Sequence, residues 1–273
     1  MTQNDPIAQF VQERTERIAT YPAKSDWQAA SNTWMETAFR EMYMYNFAWA
    51  GRPIIQVPAD IVGFQELVWE TRPDVILETG IAHGGSLMLS ASLLSMLDVC
   101  DALEAGTSFN PAESKRKVIG IDIDIREHNR NAIESHPLSS YIEMVQGSSI
   151  DKAIADQAEA LIPEGAKVMV ALDSNHTHDH VMGELELYAP LTSKDSICVV
   201  FDTVVEDMPE DMFPNRPWAP GDNPKTAVWK YLELLNGEGR TARDGDPLKL
   251  EMHTEALDKL MLTVCPDGIL KRV

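Results

Sequence analysis

The feature that most constrains the fold is a regular alternation of short apolar runs with longer amphipathic segments, which begins at residue 75. Runs of this length are predicted to be buried strands, and the segments between them to be helices. The predicted strands are residues 75–77, 118–121, 141–145, 168–172 and 197–201, and the predicted helices are residues 86–98, 126–135, 149–161 and 178–188. Strands and helices in this order form a mostly parallel sheet. We therefore predict an α/β fold with helices on both faces of a central sheet.

The first 50 residues are predicted to be helical. Large apolar side chains recur there at three- and four-residue steps and would form one stripe, which consists of Trp34, Ala38, Met42, Tyr45 and Trp49. Such a stripe is usually core or a subunit contact, so we expect a homo-oligomer or a lid. Residues 51–58 break the pattern as a loop. We therefore divide the chain into a helical N-terminal extension, residues 1–58, and a larger domain, residues 59–273.

The remaining segments are predicted from composition and turn residues. A short helix is expected at residues 59–70, a polar loop at residues 99–117 and a helix at residues 225–235. Residues 208–223 are rich in proline and are predicted to be an ordered loop, of the kind that often forms a lid or contacts substrate. Residues 248–252 and 260–264 are expected to complete the sheet as a hairpin.

Composition excludes several classes of partner. The chain has 43 acidic and 23 basic residues, a formal net charge of −20, so nucleic acid and anionic membranes are not expected as partners. We find neither an apolar run of about 18 residues that would cross a bilayer nor a secretory signal. Cys100, Cys198 and Cys265 are too widely spaced for a disulfide framework or a zinc site. The expected location is the cytoplasm.

The first predicted strand leads into a glycine-rich turn, in the sequence VILETGIAHGGS. Glu78 stands at the end of the strand, and a helix begins near Ser86. Gly80, Gly84 and Gly85 allow a ligand to approach the backbone, and the helix N-terminus offers unpaired N–H groups to a carboxylate or phosphate. The turn alone leaves two interpretations open, a nucleotide-like cofactor site or packing.

Polar residues also follow the second and third strands. Asp122, in VIGIDID, stands where an acid can accept hydrogen bonds from both hydroxyls of a ribose, although a turn residue is the alternative. Asp124 is expected mainly to cap the next helix. Ser148 and Ser149, in QGSS, either cap a helix or hydrogen-bond the edge of an adenine ring.

The fourth and fifth strands each end in an acid, Asp173 and Asp202. Carboxylates at neighbouring strand ends repel each other unless they are solvated or share a cation. Mg²⁺ accepts a few carboxylates and leaves room for water and substrate oxygens. The pair therefore predicts a Mg²⁺ site, with two helix caps as the alternative.

Three histidines follow Asp173, at His176, His178 and His180. His176 and His180 would share a helical face if the helix had already begun, which would favour a transition-metal site with Asp173 or Asp179. Non-haem iron sites of that type usually lie on all-β barrels, whereas this chain is α/β. We therefore expect His176 to be a catalytic base, because imidazole titrates near neutral pH, and the other two to be solvated or structural.

In combination, these motifs resemble the cephalosporin hydroxylase and rhamnosyl O-methyltransferase family of class I S-adenosylmethionine-dependent methyltransferases. The similar segments are ETGIAHGGS, GIDID, QGSS, LDSNHTHDH, VVFDT, RPWAPGDNPKTAV and PDGILKR, and they cover the chain from about residue 51 to its end. The resemblance implies a Rossmann-like methyltransferase fold, with S-adenosylmethionine and Mg²⁺ as cofactors. It also implies methyl transfer to a hydroxyl of a sugar, glycoside or other vicinal diol in glycan or natural-product biosynthesis.

The resemblance further implies a role for each candidate residue. Those assigned to the cofactor are Glu78 at the methionine amine, Gly80, Gly84, Gly85 and Ser86 around the methionine carboxylate and sulfonium, Asp122 at the ribose, and Ser149 with Ser148 at the adenine. Asp173, which also borders the cofactor, and Asp202 match Mg²⁺ ligands. His176 matches the general base. His83, in the glycine turn, is assigned to the cofactor side and not to the chemistry.

One position departs from the family's pattern. Members often carry an acidic pair at the end of the fifth strand, and here the first of the two is Phe201, with Thr203, Glu206 and Asp207 as candidates to compensate. This departure bears on the metal more than on the cofactor, and it keeps open the alternative of a non-catalytic cofactor-binding assembly protein. A component of a hydroxylation and methoxylation system is a separate alternative within the same family.

Overall fold

The structure is a computed structural model and describes residues 5–273. Its N-terminal part consists of two helices and a β-hairpin, which are α1 (Pro6–Ile18), α2 (Ser25–Arg40), β1 (Phe47–Trp49) and β2 (Arg52–Ile54). The prediction of one continuous apolar stripe is wrong. Met42 adopts a left-handed conformation with φ 52°, so the helix ends at Arg40 and Trp49 lies in a strand. Residues 1–4 of the predicted extension lie outside the described residues.

The rest of the chain alternates strands and helices as predicted. In chain order the elements are α3 (Pro58–Thr71), β3 (Val75–Thr79), α4 (Gly85–Ala105), β4 (Lys117–Asp122), α5 (Glu127–Glu134), β5 (Ile142–Gln146), α6 (Lys152–Ala160), β6 (Val168–Leu172), α7 (His178–Tyr188), β7 (Ile197–Val200), α8 (Pro224–Gly237), β8 (Leu250–Met252), α9 (Thr254–Lys259) and β9 (Ile269–Arg272). Short 3₁₀ turns connect several of them.

The sheet has seven strands in the order β5-β4-β3-β6-β7-β9-β8. The first five strands of this order are parallel, and β9 is antiparallel to both β7 and β8. Helices cover both faces of the sheet. Each face has its own core, and the adjacent residues Ile76 and Leu77 of β3 pack into opposite ones. The predicted α/β class, with a mostly parallel sheet and N-terminal helices, is confirmed.

Two element predictions fail in instructive ways. Residues 99–105 belong to α4, which continues to Ala105 and ends at Gly106 in a left-handed conformation with φ 65°. Residues 260–264 form no strand. Strand β8 pairs instead with β9, which the sequence analysis did not predict as a strand.

Helix α4 is long and apolar enough to cross a membrane by length and composition, which the sequence reading did not detect. Its apolar residues include Leu87, Met88, Leu94 and Leu97, which are fully buried. This burial indicates a core helix.

The strand order reverses between β3 and β6, since the chain proceeds outward from β3 to β4 and β5 and then returns to β6. In open α/β sheets, ligands bind at the carboxyl ends of the strands at such a reversal. Glu78 on β3 and Asp173 directly after β6 lie at this point. The hairpin from the N-terminal part lies over it as well, because the Pro53 carbonyl oxygen is 2.2 Å from the position that a Cβ atom on Gly85 would take. The division of the chain at residue 58 and the oligomeric state stay predictions.

Candidate active site

The glycine turn after β3 is built for close approach of backbones. Gly80 has φ +87°, and a Cβ atom at this position would lie 1.9 Å from the carbonyl oxygen of Asp173. Gly84 has φ +82°, and a Cβ atom there would lie 2.6 Å from the side chain of Ile133. A side chain at Gly80 is therefore excluded by both conformation and space, whereas at Gly84 it is disfavoured mainly by the conformation, because the Ile133 side chain can move. The turn holds β3, β6 and the start of α4 at contact distance.

Glu78 lies beneath this turn with only 3% of its surface exposed. Its Oε2 atom accepts a hydrogen bond from the Ser90 hydroxyl at 3.2 Å, and Oε1 has no partner. Burial raises the pKa of Glu78 to about 7, against the lowering effect of Ser86 and Ser90. A buried acceptor of this kind suits a cationic group such as an amine.

Asp122 lies at the end of β4 and fixes the glycine turn. Its Oδ2 atom accepts hydrogen bonds from the backbone N–H groups of Ile81 and Ala82 at 2.8 and 3.2 Å. Its Oδ1 atom accepts one from the N–H of Asp124 at 2.9 Å. The expectation that Asp124 caps the next helix is wrong, because α5 begins after Arg126 and has no side-chain cap.

Ser149, after β5, is buried in a polar network and does not cap a helix, since Asp151 caps α6. The Ser149 hydroxyl lies 3.0 Å from Nε2 of His180, and the Ser174 hydroxyl lies 3.1 Å from the same atom. Ser174 donates to Glu184, which is fully buried. Ser148 is half-buried beside this network.

Asp173, His176 and Asp202 come together at the strand ends, with a ligand atom of each within 4.8 Å of the others. Nε2 of His176 lies 3.0 Å from Oδ2 of Asp202, and Gln56 Nε2 donates to Oδ2 of Asp173 at 3.3 Å. Burial and the nearby charges of Asp202 and Glu78 raise the pKa of Asp173 well above its usual range. Two carboxylates that repel each other in this way are suited to share a cation.

The three histidines have different surroundings, so the alternative of a shared metal face is not supported by the geometry. Helix α7 begins at His178, and His176 therefore precedes it. Nδ1 of His178 lies 2.8 Å from the Thr226 hydroxyl on α8, and His180 faces Ser149. Of the three, His176 is the one that lies with the two acids.

None of the candidates proposed to compensate for Phe201 joins the acids. Glu206 accepts from Gly221 and Asn223, and Asp207 pairs with Lys225. Phe201 itself packs against Phe64, with ring centroids 6.4 Å apart. The acid–histidine cluster therefore keeps two carboxylates.

Two open spaces meet at this cluster. The first, here called the cofactor groove, has a volume of about 190 Å³ and runs along the glycine turn past Gly80, Ala82 and Ser86. The second, here called the acceptor cleft, has a volume of about 380 Å³. Asp173, His176 and Asp202 line both.

The acceptor cleft contains residues that motif reasoning missed. The imidazole of His176 meets the Trp218 ring edge-to-face at 4.7 Å, and the Arg216 guanidinium lies 5.2 Å from the centre of that ring. Phe39 and Phe213 form a further aromatic pair in its wall. Trp218 lies in the proline-rich loop that was expected to contact substrate, and an aromatic residue in such a loop was the available signal.

The sheet order, the glycine turn at the strand reversal and the acids at four strand ends define an S-adenosylmethionine-dependent methyltransferase of class I. The sequence profile of the Rhamnosyl O-methyltransferase/CmcI family matches residues 41–273. The chain belongs to this family, and it is an O-methyltransferase.

Individual relatives are distant. The chain is 26% identical over 240 residues to the Rhamnosyl O-methyltransferase of Mycobacterium bovis, covering 86% of this chain and 83% of the relative. It is 25% identical over 177 residues to the Rhamnosyl O-methyltransferase of Mycobacterium leprae, covering 63% and 69%. The apo structure of CalS11, a TDP-rhamnose 3′-O-methyltransferase from calicheamicin biosynthesis, is similar at 17% identity with a TM-score of 0.45, covering 91% of this chain and 92% of that one.

Proposed function

We propose that this chain methylates a hydroxyl of a sugar or glycoside in a Mg²⁺-dependent reaction, with His176 as the general base. The observation that carries the proposal is the cluster of Asp173, His176 and Asp202 at the junction of the cofactor groove and the acceptor cleft. A methyl group in the groove and a hydroxyl in the cleft would meet at this cluster. The expected setting is glycan or natural-product assembly.

The donor chemistry of the cluster fits Mg²⁺, which prefers oxygen ligands and uses few carboxylates. Asp173 and Asp202 would hold the ion, which leaves His176 for proton transfer. When bound, S-adenosylmethionine supplies the methyl group, and Mg²⁺ supplies positive charge that makes the acceptor hydroxyl more acidic.

His176 would take the proton of the acceptor hydroxyl, whose oxygen would receive the methyl group that bound S-adenosylmethionine supplies and leave S-adenosylhomocysteine behind. The Asp202 carboxylate, 3.0 Å from Nε2, stabilises the protonated imidazole. The edge-to-face contact with Trp218 restricts the ring orientation. Proton removal of this kind contributes about 10²–10⁴-fold to a rate.

The cofactor groove supports the assignments at the glycine turn. Glu78 would hold the methionine amine, because it is a buried carboxyl with one unpartnered oxygen. Gly80, Gly85 and Ser86 line the groove and would surround the methionine end, and Gly84, which faces Ile133, would shape the turn between them. Asp122 would contact the ribose from the next strand end, and Ser148 with Ser149 would contact the adenine, as the strand order places them progressively outward.

The acceptor cleft favours a sugar with an apolar portion. Aromatic rings and methionines provide much of its wall, and sugars stack on aromatic faces through their C–H surface. The residues are Phe39, Met42, Met44, Tyr45, Met212, Phe213 and Trp218. Among the residues that the structure describes, Arg216 is the one arginine or lysine in that wall, and its guanidinium is engaged by the Trp218 ring. A neutral glycoside suits this lining better than an acceptor with several phosphates.

The proposal is tested by incubating the protein with isotopically labelled S-adenosylmethionine, Mg²⁺ and a panel of sugars, glycosides and catechols, read by mass spectrometry. A labelled methyl ether on a sugar hydroxyl is the expected product. Binding of the cofactor by calorimetry without methylation of any panel member would favour the non-catalytic alternative. Absence of cofactor binding with and without Mg²⁺ would reject both functions.

A further inference from the structure

The β-hairpin of the N-terminal part lies against the glycine turn, and Arg52 connects the two. Its Nε atom donates a hydrogen bond to the His83 carbonyl oxygen at 2.9 Å, and its Nη2 atom donates one to Oδ1 of Asn129 at 2.7 Å. Asn129, on α5, is only 3% exposed, and its Nδ2 atom donates to the Ala82 carbonyl oxygen at 2.9 Å. This pair, here called the Arg52–Asn129 clasp, therefore holds two consecutive carbonyl groups of the turn.

The clasp fixes the direction of the groups that it binds. An arginine side chain can only donate hydrogen bonds, so Asn129 has to turn its oxygen to Arg52 and its amide nitrogen to the Ala82 carbonyl. Because a peptide unit is planar, with its C=O and N–H on opposite sides, the N–H of His83 then points away from Asn129. Ala82 has φ 45°, a left-handed conformation that alanine rarely adopts and that surrounding contacts must hold. Arg52 therefore sets the backbone orientation of the turn through Asn129.

The guanidinium of Arg52 also carries a positive charge that no ion pair offsets. Both of its hydrogen-bond acceptors are neutral oxygens, and among residues 5–273 no carboxylate pairs with it. Acids are abundant in this chain, with 43 against 23 bases, so an arginine without one leaves its charge available to a ligand. Electrostatic attraction of this kind acts over several ångströms and does not require direct contact.

The turn that the clasp holds is a wall of the cofactor groove. Ala82 and His83 line this groove, as does Pro53, the hairpin residue next to Arg52. Of the described residues, Arg52 and Asn129 do not themselves line it, so they can act on a ligand there through the backbone and through charge. The anionic group of S-adenosylmethionine is the carboxylate of its methionine part, which is the group that such a wall would attract.

We propose that Arg52 is a positioning residue for the methionine carboxylate of S-adenosylmethionine. Through Asn129 it orients the backbone of the glycine turn, and through its charge it favours an anion beside that backbone. This inference rests on the proposed assignment of the glycine turn to the methionine end of the cofactor. It makes the N-terminal hairpin a part of the cofactor site, a role that the loop predicted at residues 51–58 did not indicate.

The test compares two ligands by calorimetry, S-adenosylhomocysteine and its decarboxylated analogue, which keeps the amine and lacks only the carboxylate. In Arg52→Gln, the Kd for S-adenosylhomocysteine should rise about tenfold, whereas the Kd for the decarboxylated analogue should change by less than about twofold. Asn129→Ala should show the same selective loss. Arg130→Gln, at an arginine of the same helix that binds Gln146, is the matched control and should leave the ratio of the two Kd values unchanged.

The decarboxylated analogue also reports whether a variant is folded. Arg52→Lys is the milder change: it keeps the charge but has no planar fork to hold both acceptors, so a selective loss of about threefold is expected. An unchanged Kd for S-adenosylhomocysteine in Arg52→Gln, or an equal rise for both ligands, would overturn the proposal and leave Arg52 with a structural role. Failure of the wild type to bind S-adenosylhomocysteine would instead reject the cofactor assignment itself, together with this inference.

Discussion

His176 Nε2 and Asp202 Oδ2 lie 3.0 Å apart, at the point where the cofactor groove opens into the acceptor cleft. His176 precedes the first turn of α7, and Asp202 follows β7 in a left-handed conformation with φ 56°. Such a conformation is uncommon for an aspartate and costs energy that surrounding contacts must supply. The two side chains are thus positioned by different segments, His176 by the loop between β6 and α7 and Asp202 by the turn after β7.

Replacing His176 should separate chemistry from cofactor binding. His176→Ala removes the proposed base, so kcat should fall by about 10²–10⁴-fold while the Kd for S-adenosylmethionine stays nearly constant. Steady-state kinetics and calorimetry measure the two quantities. His83→Ala, at the exposed histidine of the glycine turn, is the matched control and should keep most of its turnover. Full turnover in His176→Ala would remove the proposed role.

Removal of divalent ions tests the two carboxylates. Chelation with EDTA should abolish turnover, and added Mg²⁺ should restore it. Asp202→Asn removes one charged ligand, so the Mg²⁺ concentration for half-maximal activity should rise by about tenfold or more. Asp179→Asn, at the acid once considered as an alternative ligand, should leave this concentration unchanged. Full activity of the wild type in EDTA would show that the cluster works without a metal.

The close approach at Gly80 predicts that an alanine substitution there destabilises the protein much more than one at Gly165. Gly80 and Gly165 both have positive φ, but a Cβ atom meets nothing within 4 Å at Gly165 and lies 1.9 Å from the Asp173 carbonyl oxygen at Gly80. Gly165→Ala should lower the free energy of unfolding by about 1 kcal/mol, from backbone strain alone. Gly80→Ala should lower it by about 3 kcal/mol or more, since overlap is added. Urea unfolding of both variants gives the comparison, and equal losses would be inconsistent with the described contact.

Asp60 predicts a dependence of stability on pH. Burial raises the pKa of Asp60 to about 7, whereas an unfolded aspartate titrates near ~3.9. Between these values the folded state binds a proton that the unfolded state does not, so the stability contribution is complete below about pH 4 and is lost as pH rises through about 7. The wild type should therefore lose stability from pH 5 to pH 8 more steeply than Asp60→Asn. Parallel stability profiles of the two proteins would contradict the raised pKa of Asp60.

Asp122 is predicted to contribute more to cofactor affinity than to kcat. Asp122→Ala leaves the N–H groups of Ile81 and Ala82 without their acceptor. The conformation of the glycine turn should therefore be destabilised by about 1–3 kcal/mol. The Kd for S-adenosylmethionine should rise at least about tenfold, with a smaller change in kcat at saturating cofactor. Asp124→Ala is the control, because its side chain caps no helix. A larger fall in kcat than in affinity would place Asp122 in the chemistry instead.

Local periodicity predicted the elements whose apolar pattern is bounded by turn residues. Strand β6 and helix α7 have the bounds that the sequence indicated, because an apolar run and its flanking turn residues are local signals. The N-terminal stripe failed because one left-handed residue, Met42, redirects the chain, and spacing does not reveal that conformation. Strand β9 was missed because it is short and its partner β7 is distant in sequence.

Residues at strand ends were predictable, whereas residues brought in from other elements were not. Asp173 and Asp202 follow strands whose carboxyl ends share one edge of the sheet, so topology alone placed them together. Gln56 and Asp60 come from the segment before the sheet, and no motif marks them. Their positions depend on how α3 docks against the strand ends, which is a property of tertiary packing. His176 and His180 do not share a helical face despite their i, i+4 spacing, because α7 starts between them.

Gln56 and Asp173, joined by one hydrogen bond, each border both the cofactor groove and the acceptor cleft. A charged ligand in one of these spaces would therefore change the electrostatic surroundings in the other. By thermodynamic linkage, the factor by which bound cofactor changes acceptor affinity equals the factor by which bound acceptor changes cofactor affinity. Any such coupling through Gln56 and Asp173 would need no conformational change.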